Sequence, residues 1–278
     1  MKIGCGTVLF RQFPLENALD AIRNAGFSYF ETQAVGPWCP HIDVEKDDPE
    51  KIVRLKNEFG FEGITALWSY GGSIIADTRS VERQIRSIEW AAAAGIPVVH
   101  TGDGHKPADM DTDTAFQTLE EKLSVILECA EKNNIMLAVE PHGTFSLTLA
   151  GLRRILALGK PSVLGVNYDA ANVLRSGFVE SKNGTSGYKC ENHREDELAV
   201  CEGIAHRIVH MHAKDVDKDL KCVAVGEGMV KNKACIDHLR SLHYDGVISL
   251  ETDGGGSFED ICLLAKKSYA YLNTIING

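Results

Sequence analysis

No run in the chain approaches the roughly 18 consecutive apolar residues that a membrane-spanning helix needs. No C-x-x-C pair occurs among its 8 cysteines, which argues against zinc-knuckle and thioredoxin-like designs. Positive charge is also scarce. Lys and Arg number 29 against 39 Asp and Glu, a net charge of −10 that excludes a general nucleic-acid binder. The early glycines, "GCGTVL", do not fit the G-x-G-x-x-G loop of a dinucleotide fold. The opening "MKIGCGTVLF" has too short an apolar part and too much glycine for a signal peptide. With scattered cysteines in apolar and helical runs, a reducing cytoplasm is the expected location.

What remains is ordinary globular material, 44% hydrophobic and 24% charged over 278 residues, enough for a well-buried core. Short apolar runs alternate with amphipathic ones. The runs "KIGCGT", "SYFETQ", "EGITALWS", "PVVHTG", "IMLAVEP", "VLGVNYD", "IVHMHAKD" and "VISLETD" read as strands. Helical patterns lie between them. One places Leu15, Leu19 and Ile22 on one face, with Pro14 at its start and Gly26 at its end. Another opens at Ser80, an N-cap candidate, and stops at Gly95. The last opens at Ser257 with Asp260 at its third position. Eight strands alternating with about eight helices predict a single α/β domain over 1–278, a (β/α)8 TIM barrel. Polar residues 175–196, with Gly177, Gly184 and Gly187, predict a long loop after strand six, on the face where barrels build their sites.

The ends of the later strands are charged. Strand five ends in Glu140, six in Asp169 and eight in Glu251, while strand seven carries His210, His212, Lys214 and Asp215. The gaps from Glu140 through Asp169 and His212 to Glu251 are 29, 43 and 39 positions, which suit separate βα units. In a barrel these ends converge on one rim. Clustered carboxylates repel and raise one another's pKa unless a cation sits among them. Oxygen donors with one imidazole suit one divalent ion, Mn²⁺ first, with Mg²⁺, Co²⁺ or Zn²⁺ as alternatives. Singly, each residue has a plainer use: a Glu paired with a base, Asp169 as a helix N-cap, His212 as a satisfied core histidine.

"VEPHG", "NYDAAN", "HMHAKD", "VGEGMV" and "SLETDG", in that order, resemble the xylose isomerase-like TIM-barrel superfamily, its sugar phosphate isomerase/epimerase members above all. The resemblance implies that Glu140, Asp169, His212 and Glu251 bind one divalent metal. It implies Glu140 and Glu251 as acid and base on a keto sugar, which reacts through an enediolate. His142, Lys214 and Asn172 become candidates for the substrate's oxygens. Lys214 is also placed to form a salt bridge to Asp215 or Glu251. On the same rim His100 is a substrate-binding candidate, Trp68 an apolar wall, and Glu31 the end of strand two. Glu227 of the "GEG" turn reads as structural, and His105, His193 and His243 as surface histidines.

The AP endonucleases of the superfamily need further histidines, and this chain has Trp68 and Asn172 at two of those places. The Asn-Arg-Phe-Glu run of ketose 3-epimerases is replaced by "EPHGTFS". The H-x-K-D segment also resembles inosose dehydratases, and lyases acting on 3-keto sugars share the scaffold, so elimination from the same enolate stays open. So does a non-catalytic subunit. Gly254, Gly255 and Gly256 before the last helix offer a phosphate cradle or a simple loop. A small sugar substrate, no nucleic acid or membrane partner, and a homo-oligomer are expected.

Overall fold

The computed structural model describes residues 1–69, 73–176, 195–252 and 255–278. Eight parallel strands close into a barrel: β1 (Lys2–Gly6), β2 (Tyr29–Gln33), β3 (Gly63–Trp68), β4 (Val98–Thr101), β5 (Met136–Val139), β6 (Leu164–Asp169), β7 (Ile208–Ala213) and β10 (Val247–Leu250). Each pairs with its neighbour in sequence, and β10 closes on β1 with Cys5 beside Leu250. All eight expected strands are present. A short antiparallel ribbon, β8 (Asp215–Val216) with β9 (Cys222–Val223), follows β7 and was not foreseen.

The helices are α1 (Leu15–Ala25), α2 (Pro49–Glu58), α3 (Ser80–Ala93), α4 (Thr112–Lys132), α5 (Leu149–Leu156), α6 (Ala170–Ser176), α7 (Glu197–Ile204), α8 (Asn232–Ser241) and α9 (Phe258–Asn277). Leu15, Leu19 and Ile22 of α1 are buried as the pattern required, and Gly26 ends the helix at φ +112°. There a Cβ would meet the Tyr269 ring at 2.5 Å, so glycine is needed twice over. Ser257 and Asp260 form a reciprocal capping box on α9. Ser80 differs from expectation. It is the first residue inside α3, and its hydroxyl donates to the Ile74 carbonyl rather than capping the helix.

The expected loop at 175–196 lies largely outside the described residues, as do His193 and Gly254. Its described edges are helical, Arg175 and Ser176 ending α6 and Asp196 capping α7. Seven free cysteines occur among the described residues, and none of the described helices is long and apolar enough to cross a membrane. The core lies between strands and helices, with Phe10, Phe27, Phe30, Leu67 and Ile88 fully buried.

Candidate metal centre and substrate mouth

Register sets the site in rows. Asp169 of β6 lies beside His212 of β7, which lies beside Ser249 of β10. One row lower, toward the strands' N-termini, Asn167 lies beside His210. Side chains alternate along a strand, so Asn167 and Asp169, like His210 and His212, share the lumen face. Glu31 of β2 and His100 of β4 enter the same space.

Glu140, Asp169 and His212 each bring a ligand atom within 4.8 Å of the others, all fully buried. His212 Nδ1 is 3.1 Å from Glu140 Oε2, and its Nε2 is 2.9 Å from Glu31 Oε1. Two carboxamides hold Glu140: Asn167 Nδ2 donates to Oε2 and Asn172 Nδ2 to Oε1, both at 2.8 Å. Asp169 Oδ1 accepts from the Asn172 backbone N–H at 2.9 Å, so it does cap α6. Its Oδ2 accepts no aligned hydrogen bond, and Lys214 Nζ stands 3.0 Å away. Glu251 is not in this ligand group. It forms an ion pair with Lys214, whose ammonium therefore sits between Asp169 and Glu251 and 3.5 Å from Asn172 Oδ1. The foreseen bridge from Lys214 reaches Glu251, not Asp215.

The charges do not balance. Glu31, Glu140, Asp169 and Glu251 face one ammonium and one imidazole. Burial alone would lower His212, but Glu31 and Glu140 hold its ring protonated well above the usual histidine range. Burial would raise Asp169, yet Lys214 and His212 keep it below the usual carboxylate range. Burial pushes Glu140 up to about 7 against the opposing pull of His212. A protonated His212 has no lone pair for an ion, so an ion held there would take the place of that proton and leave the four carboxylates facing Lys214 alone. The donor set and this excess of negative charge fit a divalent cation.

Trp68, His100 and His142 form an aromatic flank. The Trp68 ring stands edge-on to His100 at 6.3 Å and to His142 at 5.9 Å between centroids. Burial, then the charge of Lys214, pushes His142 down to about 4. Burial also holds His100 well below its ordinary value and His210 at about 4.

Asp103 was missed by sequence reasoning. It is buried behind the loop after β5 and accepts from Thr144 N at 2.9 Å, Phe145 N at 2.5 Å and Ser146 Oγ at 2.5 Å. It thereby fixes the loop that carries His142, and a Cβ on Gly143 would meet Asp103 Oδ1 at 2.0 Å. Asn167 was missed too. Its signal was parity, two positions before Asp169 on the same strand face. Asp215 is structural, its carboxylate accepting from the backbone of Gly226, Gly228 and Val230. Glu227 pairs with Lys267 at 2.8 Å on the surface. The helix behind Gly255 and Gly256 is already capped by Ser257 and carries Glu259 and Asp260 in its first turn, which disfavours a phosphate there.

Among solved structures the chain matches a D-tagatose 3-epimerase-like protein, at 20% identity and TM-score 0.78 over 100% of this chain and 97% of that one. It also matches the IOLI protein with a binding zinc atom, at 11% identity and TM-score 0.77 over 100% and 98%. The probable 3-DHS dehydratase AsbF of Bacillus anthracis matches at 18% identity and TM-score 0.73 over 98% and 99%. No curated protein sequence matches the chain. The family described as xylose isomerase-like TIM barrel matches residues 19–272, nearly the whole barrel. This chain therefore belongs to the xylose isomerase-like TIM barrel family.

Proposed function

We propose that the chain is a divalent-metal-dependent isomerase or epimerase of a keto sugar or sugar derivative, with Glu140 and Glu251 as acid and base. The observation that carries this is the donor set of the mouth: Glu140, Asp169 and His212, all buried, with ligand atoms within 4.8 Å of one another, and only one ammonium, Lys214, set among the carboxylates. Glu140, Asp169 and His212 would hold the ion, with Glu251 the fourth donor once Lys214 releases it; Mn²⁺ suits this oxygen-rich set best. When bound, the ion polarises the substrate's carbonyl and stabilises the enediolate charge.

The rest falls to the protein's own groups. Glu251, the most exposed of the four carboxylates at 9%, meets substrate and takes the proton from the carbon beside the carbonyl. Glu140, near neutrality in pKa, returns a proton on the opposite face for epimerisation or to the adjacent carbon for isomerisation. Lys214 stabilises the enolate oxygen. Asn172 and His142 bind hydroxyls, and His100 with Trp68 forms the wall against the sugar.

A second reading, dehydration of a keto-cyclitol or keto sugar, is favoured by one feature. Lys214 Nζ stands between Asp169 and Glu251, where it can hand a proton to a departing hydroxide. The test is metal analysis of the purified protein, followed by solvent-deuterium exchange into ketoses, inososes and 3-keto glycosides with added Mn²⁺. Exchange without loss of water supports the isomerase, and exchange with loss of water supports the dehydratase. Absence of both metal and exchange refutes both.

A further inference from the structure

Below the Glu140–Asp169–His212 group lies a second set of donors, in which Glu31 and His210 have no part in the proposed chemistry. Glu31, His100, His210 and His212 each bring a ligand atom within 4.8 Å of the others, all buried. The three rings pack with centroids 4.6, 5.3 and 5.7 Å apart. Three imidazoles and a carboxylate pressed together in a lumen carry a large desolvation cost unless something binds them.

The hydrogen bonds show where the gap is. Asn167 Nδ2 donates to the Glu140 carboxylate, so the orientation of this amide is fixed and its Oδ1 is an acceptor. His210 Nδ1, 3.0 Å from that oxygen, must therefore carry the hydrogen. Its other nitrogen, Nε2, then presents a lone pair. Nε2 faces Glu31 Oε2 at 3.4 Å, an oxygen with no aligned hydrogen bond, although the Ser249 hydroxyl also draws on this carboxylate. The remaining neighbour of Nε2, Thr65 Oγ1 at 3.3 Å, directs its own hydrogen to the Phe30 carbonyl at 3.2 Å. A buried imidazole nitrogen and a buried carboxylate oxygen thus stand 3.4 Å apart without an aligned hydrogen bond between them. His100 Nδ1 lies 4.0 Å from the same Glu31 oxygen and accepts from Asn167 Nδ2 at 3.2 Å, a hydrogen bond that an ion at this place would replace.

We propose that Glu31 Oε2, His210 Nε2 and His100 Nδ1 bind a second divalent transition-metal ion, Zn²⁺ by the nature of the donors, on the floor of the site. Zinc bonds of ~2.0–2.1 Å at tetrahedral angles place donor atoms ~3.3 Å apart. The Glu31–His210 pair is already at 3.4 Å, and His100 closes the set by moving about 0.7 Å and giving up its hydrogen bond to Asn167. Asn167, holding His210 Nδ1–H, is the outer partner that fixes the ligating tautomer. Glu31 Oε1 stays with His212 Nε2 at 2.9 Å, which leaves Nδ1 of that ring turned toward Glu140.

The site also has an approach. A cavity of about 560 Å³ opens at the N-terminal ends of the strands, opposite the mouth, and is lined by Lys2, Tyr29, Thr65, Val98, His210 and Val247. An ion held there would tie β2, β4 and β7 together across the lumen.

The test is a Co²⁺ titration of chelator-treated full-length protein, read by the visible absorption of cobalt, with Zn²⁺ competition. His210→Gln and Asp169→Asn separate the two sites, and Zn-edge anomalous diffraction of wild-type crystals covers a variant that fails to fold. Expected are two equivalents per chain in wild type and one in each variant. A single equivalent lost in Asp169→Asn and unchanged in His210→Gln overturns the floor site and leaves the proposed function standing. A single equivalent with the reverse pattern supports the floor site and removes the catalytic one. No bound cobalt, or no anomalous peak beside Glu31 and His210, overturns the proposal.

Discussion

On β6, Val166 and Tyr168 turn outward into the apolar shell, while Asn167 and Asp169 turn into the lumen. The same division runs around the barrel. The outer face of the strands packs against Leu19, Ile22, Ile88, Leu119 and Leu123 of the helices, side chains whose worth is area removed from water. The inner face keeps only a small apolar patch of Ala66, Val98 and Ala138, and above it carries four carboxylates, three imidazoles and a lysine. The outer layer holds the fold together. The inner layer is electrostatically unfavourable when bare and is tolerated because the outer layer supports it.

That contrast breaks if an inner residue proves as structural as an outer one. The largest expected effect is at Glu251→Gln. Removing a general base lowers solvent-deuterium exchange by about 10²–10⁴-fold, while the thermal midpoint stays close to wild type because Lys214 keeps Asp169. Global unfolding of this variant would erase the distinction between the layers. Next is Leu19→Ala in the outer shell, fully buried on α1. It is expected to cost about 2–5 kcal/mol in a denaturant titration and to leave exchange per folded molecule unchanged. A loss of exchange at full folding would mean that the shell tunes the site directly.

The smallest effect sharpens the comparison at the shell's edge. His41 Nε2 donates to the Phe13 carbonyl at 3.0 Å, and its Nδ1 accepts from the Cys39 thiol at 3.5 Å. Burial holds its pKa below the ordinary histidine value. The unfolded chain therefore takes up a proton more readily than the folded one. The stability this residue contributes is present above about pH 6.5 and is lost as pH falls through that value. His41→Gln should flatten the acid side of the stability curve between pH 7 and 5, by less than the ~1.4 kcal/mol per pH unit that one proton allows. An unchanged slope would assign acid sensitivity to the lumen alone.

The strands were legible because apolar runs bounded by polar residues leave few alternatives, and Gly26 and Ser257 are local signals that tertiary contacts did not override. The rim residues were legible because a charge at the end of an apolar strand is costly without a partner. Pairing was harder to read. Lys214 taking both Asp169 and Glu251, or Asp103 gathering the loop after β5, depends on contacts between segments that sequence spacing does not encode. Ser80 failed as a cap because the chain before α3 turns back and offers its hydroxyl the Ile74 carbonyl instead. The ribbon of β8 and β9 escaped notice because two-residue strands carry no period.

The hold of Asp215 on Gly226, Gly228 and Val230 clasps that ribbon at its base, and Arg175 of α6 donates to the Leu220 carbonyl at its tip at 3.2 Å. Its tip turns at Asp217–Lys221, where Leu220 sits at φ +60° and the side chain of Asp217 collects the N–H groups of Asp219 and Lys221. Foreign sequence spliced into this tip would pull on α6 through Arg175 and on the core through Leu220, which makes the ribbon a poor place to attach a reporter or a second domain.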